Sequence, residues 1–257
     1  MKKILFVLLL SVVLPIFFTV EDHRIISLLP DISINDEVIH HSYYTLSYNE
    51  YHEQANWVAY KLTSDMIQNG SYNRTDDFRP DYKVKNESSQ LSDYKGFGYD
   101  RGHLCPAGDM KISKMAMSES FYMSNISPQV PSFNRGIWKS LESIVRTWAI
   151  ENDEIYIVTG PILAKDFSFL GSIGSNSVSI PKYYYKVILD YKKPELKGIG
   201  FILENTKGQL PLVSYAISID NVEELTGIDF FPSLPDTIEN IIEESFSIDK
   251  WSWEKNK

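Results

Sequence analysis

Apolar residues recur along this chain with two different periods, and each period predicts one kind of element. Runs rich in β-branched and aromatic residues at Trp57–Leu62, Glu154–Val158, Tyr183–Leu189, Gly198–Leu203 and Leu212–Ile217 predict strands. After Asn134 the period lengthens. Ile137, Trp138, Leu141, Ile144, Val145 and Trp148 fall at helical spacings and line one face of a helix that starts at Asn134. Shorter helical segments are predicted at Met115–Tyr122, at Asn221–Thr226 with Gly227 as its stop, and at Thr237–Glu244. Strands and helices intermingle without strict alternation. That order predicts an α+β fold with a mostly antiparallel central sheet flanked by helices.

One stretch obeys neither period. Lys2 and Lys3 precede an apolar run from Ile4 to Phe18, broken only by Ser11 and Pro15, and Glu21-Asp22-His23-Arg24 closes it. A positive flank, a short apolar core and a polar exit make a secretory leader. A membrane-spanning helix needs about 20 apolar residues, and this run is shorter. Residues 1–20 are read as a signal peptide, which implies a secreted or periplasmic product; retention as a membrane anchor is the alternative. Residues 21–40 form a polar lead-in. Residues 41–257 hold no Pro/Gly/Ser linker or repeat and are read as one domain.

Composition narrows the chemistry. With 257 residues, of which 43% are hydrophobic, the chain can bury a sizeable core. Its formal charge is −9. Loss of the leader removes Lys2 and Lys3 and no acid, and so lowers the charge from −9 to −11. The global field repels a polyanion, so any nucleic acid must be held by a local basic patch, a metal ion or both. Cys105 is the only cysteine, which excludes an intramolecular disulfide, and one cysteine with scattered histidines lacks the paired spacing of a zinc site.

The segment from Tyr99 to Glu142 concentrates reactive side chains. Asp100-Arg101-Gly102-His103 ends an extended stretch, and residues two apart on a strand share a face. Phosphodiester hydrolysis needs a base for water and a cation for the phosphorane charge, and His103 with Arg101 offers both. The same residues also fit a structural role, with Arg101 paired to Asp100 and His103 a satisfied, partly buried histidine. Asn134 fits a helix N-cap. Glu142 lies eight residues on, about 80° around the helix and about 12 Å along it, where it borders the same pocket or faces solvent. Lys111, Ser113, Lys114, Arg135, Lys139 and Arg146 fit a basic rim and solvated side chains equally well. His40-His41, Tyr43-Tyr44 and Tyr183-Tyr184-Tyr185 are read as packing, and Gly171–Gly174 lacks the lysine of a phosphate-cradling loop.

Taken together, Asp-Arg-Gly-His at 100–103, Ser-Asn-Ile-Ser-Pro-Gln at 124–129, Asn134 and Leu141-Glu142 resemble the DNA/RNA non-specific endonucleases, the ββα-metal nucleases. Further matches are Trp57-Val58-Ala59-Tyr60, Arg74, Phe78, Asp81, Asp93-Tyr94, Gly98-Tyr99, Thr159-Gly160-Pro161 and Val187, so the likeness spans roughly residues 41 to 235. The resemblance implies a ββα-metal site in which His103 is the general base and Asn134 the single protein ligand of Mg²⁺, with Mn²⁺ as a possible substitute. It also implies that Glu142 is an acceptor orienting water beyond the direct ligands, that Arg101 and Arg74 contact phosphate, and that Asn125 orders the site. Arg79 is the alternative to Arg74. The implied activity is cleavage of DNA and RNA with little sequence preference, leaving 5′ phosphates, in a protein that assembles as a homodimer. A catalytically silent nucleic-acid or envelope binding module on the same fold is the competing reading.

Overall fold

A computed structural model of the chain describes residues 28–33, 36–163, 169–192 and 194–253; the expected leader at residues 1–20 lies outside them. A meander of β1 (Glu37–His40), β2 (Thr45–Asn49) and β3 (Gln54–Thr63) leads into α1 (Ser64–Gln68) and, further on, α2 (Leu91–Tyr94). Then come β4 (Asp100–His103), α3 (Lys114–Glu119), β5 (Ile126–Gln129) and α4 (Lys139–Glu151). β6 (Glu154–Pro161) is followed by the small β7 (Ser172–Ile173) and β8 (Val178–Ser179), and the long β9 (Tyr183–Asp190) and β10 (Lys197–Glu204) come next. β11 (Ala216–Ile217), α5 (Ile219–Thr226) and α6 (Asp236–Glu244) complete the order.

Seven strands form one sheet in the order β1-β2-β3-β6-β9-β10-β11, every pairing antiparallel. The α+β expectation is therefore correct. Side chains alternate across β9: Tyr184 and Ile188 join Leu141, Ile144, Val145 and Trp148 of α4 in one core, whereas Tyr185, Val187 and Leu189 join Ile219, Val222 and Ile242 of α5 and α6 in another. Both faces of the sheet are covered. That explains why its strands read as continuous apolar runs rather than as an alternation of apolar and polar residues.

The structure departs from the pattern in particular places. Only Ala216–Ile217 of the Leu212–Ile217 run is a strand; Leu212–Tyr215 is a 3₁₀ turn, closed locally by the Tyr215 hydroxyl, which accepts from the backbone N–H groups of Gln209 and Leu210. The helix predicted to start at Asn134 begins instead with a π-helical turn over Phe133–Trp138, broken at Gly136 (φ −105°, ψ −111°), and α4 proper starts at Lys139. The expected stop at Gly227 is present, in the left-handed conformation at φ 71°. Within the lead-in, residues 37–40 are the edge strand β1. At the far end, where the sequence pattern is silent, Trp251 and Trp253 pack on Trp148 with ring centroids 4.7 and 5.5 Å away, and Trp148 Nε1 donates to the carbonyl of Ser252.

Candidate active site

β4 and β5 form their own antiparallel pair, and with α4 they make a ββα unit on the α4 side of the large sheet. The register is Asp100↔Gln129, Arg101↔Pro128, Gly102↔Ser127 and His103↔Ile126. Gly102 is required by close approach, since a Cβ there would lie 2.2 Å from the buried Gln129 side chain. Beyond His103 the chain is clamped by Asn125. Its Oδ1 accepts from Cys105 N at 2.8 Å, its Nδ2 donates to Cys105 O and Ser120 O at 2.9 and 2.8 Å, and its carbonyl accepts from Leu104 N. Asn125 is fully buried, with both amide hydrogens and the amide oxygen engaged. It fixes the backbone that carries His103 and faces no open site.

His103 sits between two phenyl rings, with Phe78 at 5.5 Å and Phe121 edge-on at 4.9 Å between centroids. Its Nε2 is buried and makes no hydrogen bond among the described residues, so it is not a satisfied structural histidine. Burial, reinforced by the cations of Arg74 and Arg101, pushes the imidazole pKa down to about 3. The ring is therefore a neutral base across the physiological range. Each of those guanidiniums lies on one of the two rings: Arg101 is 4.2 Å from the Phe78 centroid and Arg74 is 4.8 Å from that of Phe121. Arg101 is not paired with Asp100. Arg79 is fixed elsewhere, on Asp77, the Ser118 carbonyl and the Tyr122 ring.

Asp100 serves Asn134 instead. It accepts from Asn134 Nδ2 at 2.8 Å and from Arg135 at 2.8 and 2.6 Å. Burial raises its pKa, but the bonds from Arg135 and Asn134 outweigh that and hold it below the usual carboxylate range. The N-cap role for Asn134 is thus replaced by a side-chain bond across the ββα unit, and Asn134 Oδ1 has no partner among the described residues.

Glu142, half-buried in the first turn of α4, faces a charged cluster. Burial and then Asp109 push its pKa up, while Lys186, Arg146 and Arg74 pull it back. Arg74 therefore acts on both His103 and Glu142, joining residues far apart in sequence into one site. Asp109 is buried and accepts from the Tyr60 hydroxyl at 3.0 Å and from Arg146 at 2.7 Å.

A family model for DNA/RNA non-specific endonucleases matches residues 24–237. The chain belongs to that family. Nuclease C1 of Cunninghamella echinulata var. echinulata is 34% identical over 204 residues, covering 74% of this chain and 81% of that protein. Mitochondrial endonuclease G of Homo sapiens is 30% identical over 202 residues, covering 74% and 68%. Mitochondrial nuclease EXOG of Danio rerio is 33% identical, but this chain spans only 60% of its length. Among solved structures, a chain of the EndoG/EndoGI complex superposes with a TM-score of 0.74 at 29% identity, covering 84% of this chain and 93% of that one. Membership places this chain among the nucleases, on the ββα fold expected for them.

The basic rim is smaller than the sequence offers. Ser113 is the N-cap of α3, accepting from Ala116 N, Arg135 is bound to Asp100, and Arg146 is bound to Asp109. Lys111, Lys114 and Lys139 remain exposed. Two residues that act on Glu142 escape the sequence reading. Asp109 is a loop acid with nothing to single it out. Lys186 had a signal, as a charge in the middle of the apolar run Tyr183–Leu189. Burial drives its pKa down against the pull of Glu142 and Asp109, and its Nζ lies 4.9 Å over the Trp138 ring with no hydrogen-bond partner.

Proposed function

We propose that this chain is a metal-dependent endonuclease that hydrolyses phosphodiester bonds of DNA and RNA with little sequence preference, leaving 5′ phosphates, with His103 as general base. The observation that carries the reading is the imidazole held neutral between Phe78 and Phe121 with Arg74 and Arg101 on the same two rings. In this reading His103 takes the proton from an attacking water, and the two guanidiniums hold the charge that gathers on the phosphate. Glu142 accepts a hydrogen bond from water at the site edge. Asn125 is a positioning residue.

Asn134 fits a magnesium ligand. Its amide nitrogen is committed to Asp100, and the carbonyl oxygen left over is the hard, neutral donor that Mg²⁺ accepts while keeping most of its waters. When bound, Mg²⁺, or Mn²⁺ in its place, supplies charge stabilisation for the phosphate and leaving oxygens. Contacts to phosphate carry no sequence information, in keeping with a non-specific enzyme. Export through residues 1–20 rests on the leader pattern, and assembly as a homodimer on family likeness alone.

The test is incubation of the full chain with plasmid DNA and with RNA, with Mg²⁺ and with chelator. Both substrates are expected to be cut, and chelator to stop both reactions. Cutting that persists in chelator overturns the metal role, and loss of activity on both substrates in all metals overturns the nuclease reading.

A further inference from the structure

On the sheet face opposite α4, the chain carries a second constellation that the nuclease reading does not use. α5 and α6 lie close on β10 because that strand has glycines beneath them. A Cβ on Gly198 would come within 2.6 Å of Ile219 Cδ1 and 2.8 Å of Ile242 Cγ2, and one on Gly200 within 2.6 Å of Val222 Cγ2. This close seating draws the last turn of α6 inward. Glu243, next to Ile242, is left only 4% exposed, and its Oε1 is buried with no hydrogen-bond partner. A buried, unpaired carboxylate is costly unless something compensates it.

What it faces is more acid. Ligand oxygens of Asp220, Glu223 and Glu243 all lie within 4.8 Å of one another. Asp220 and Glu223 are three apart on α5 and so share a face, while Glu243 closes the group from α6. None of the three has an ion pair among the described residues. Glu223 accepts one backbone bond, from Phe230 N at 2.8 Å. Three carboxyl groups converging on one buried, unpartnered oxygen form a donor set that a cation satisfies.

We propose that Asp220, Glu223 and Glu243 form a structural calcium site that ties α5 to α6, remote from the nuclease centre. The donor set is all carboxylate oxygen, with no nitrogen or sulfur. Ca²⁺ accepts six to eight such oxygens in flexible geometry, and carboxylates bind it through one oxygen or two.

The probe is calcium chloride, titrated into the metal-stripped full chain carrying Asn134→Ala, which removes the proposed nuclease-site ligand. Binding heat and Tm are both recorded. One site is expected, with Kd on the order of 10⁻⁴–10⁻³ M as in extracellular calcium modules, together with a Tm that rises with calcium. Adding Glu223→Gln or Glu243→Gln is expected to weaken binding at least about tenfold and to flatten the Tm response, with the far-UV circular dichroism unchanged. Calcium binding that survives both substitutions overturns the assignment. So does a parent protein blind to calcium whose Glu243→Gln variant has a higher metal-free Tm, since that result gives the buried acid to a proton.

Discussion

Asn134 donates its side-chain N–H to Asp100 Oδ2 at 2.8 Å, and Arg135 grips the same carboxylate with two bonds. One acid thus decides which end of the Asn134 amide faces the site. Asp100→Ala frees the amide, and loss of a group that orients a metal ligand typically costs about 10–100-fold in metal affinity. The Mg²⁺ concentration for half-maximal cleavage is expected to rise by about that factor. An unchanged Mg²⁺ titration in this variant would sink the assignment of Asn134 as ligand.

His103→Ala is expected to lower kcat by about 10²- to 10⁴-fold, the usual cost of a lost general base, with an unchanged circular dichroism spectrum. A variant that is folded and nearly fully active would remove the general base from the proposed reaction.

The depressed pKa of His103, about 3 against an ordinary 6.5, has two consequences of fixed sign. The acid limb of kcat/KM, which reports the free enzyme, is expected well below pH 6.5, so the rate should hold between pH 8 and pH 6. Stability runs the other way with acid: between pH 6.5 and 3 the unfolded histidine binds a proton that the folded one refuses. Stability contributed by this site is therefore present above pH 6.5 and lost as pH falls through that window. Urea unfolding of wild type and His103→Gln at pH 7 and pH 4.5 checks it: wild type should lose more than the variant.

Arg74 and Arg79 are five residues apart and differ in what they face. Arg74→Ala removes a cation beside His103 and Glu142, and loss of one group stabilising transition-state charge costs about 10²–10³-fold in kcat. Arg79→Ala breaks contacts to Asp77 and Ser118, and should shift Tm while leaving kcat within about threefold. The reverse pattern would exchange their roles.

Asn125→Ala leaves the backbone N–H and C=O of Cys105 and the carbonyl of Ser120 without their partner. Each buried, unsatisfied group costs about 1–3 kcal/mol. With three such groups, denaturant unfolding is expected to show a loss of about 3 kcal/mol or more, with activity falling alongside it. Lost activity at full stability would instead place Asn125 in contact with substrate.

Much of the frame was readable in the chain. Trp57–Leu62, Glu154–Val158, Tyr183–Leu189 and Gly198–Leu203 are strands at nearly their predicted bounds, because β-branched and aromatic runs have few other ways to bury themselves. Leu212–Ile217 has the same composition and still turns, because Tyr215 satisfies the preceding backbone locally. Short elements such as β2 and β5 carry too few residues for a period to show, whereas Asp100–His103 was read as extended and is β4.

The sequence by itself determined the family-like spacing of His103, Asn125, Asn134 and Glu142, and with it the class of chemistry, because residue type and separation along a strand and helix are local properties. Which arginine faces the imidazole, which acid orients Asn134, and the burial of Lys186 and Asp109 beneath Glu142 were decided only in three dimensions. The cause is physical: pKa shifts, ring–cation contacts and hydrogen-bond partners depend on distances between segments as far apart as residues 74, 103, 142 and 186, and no period along the chain encodes those distances.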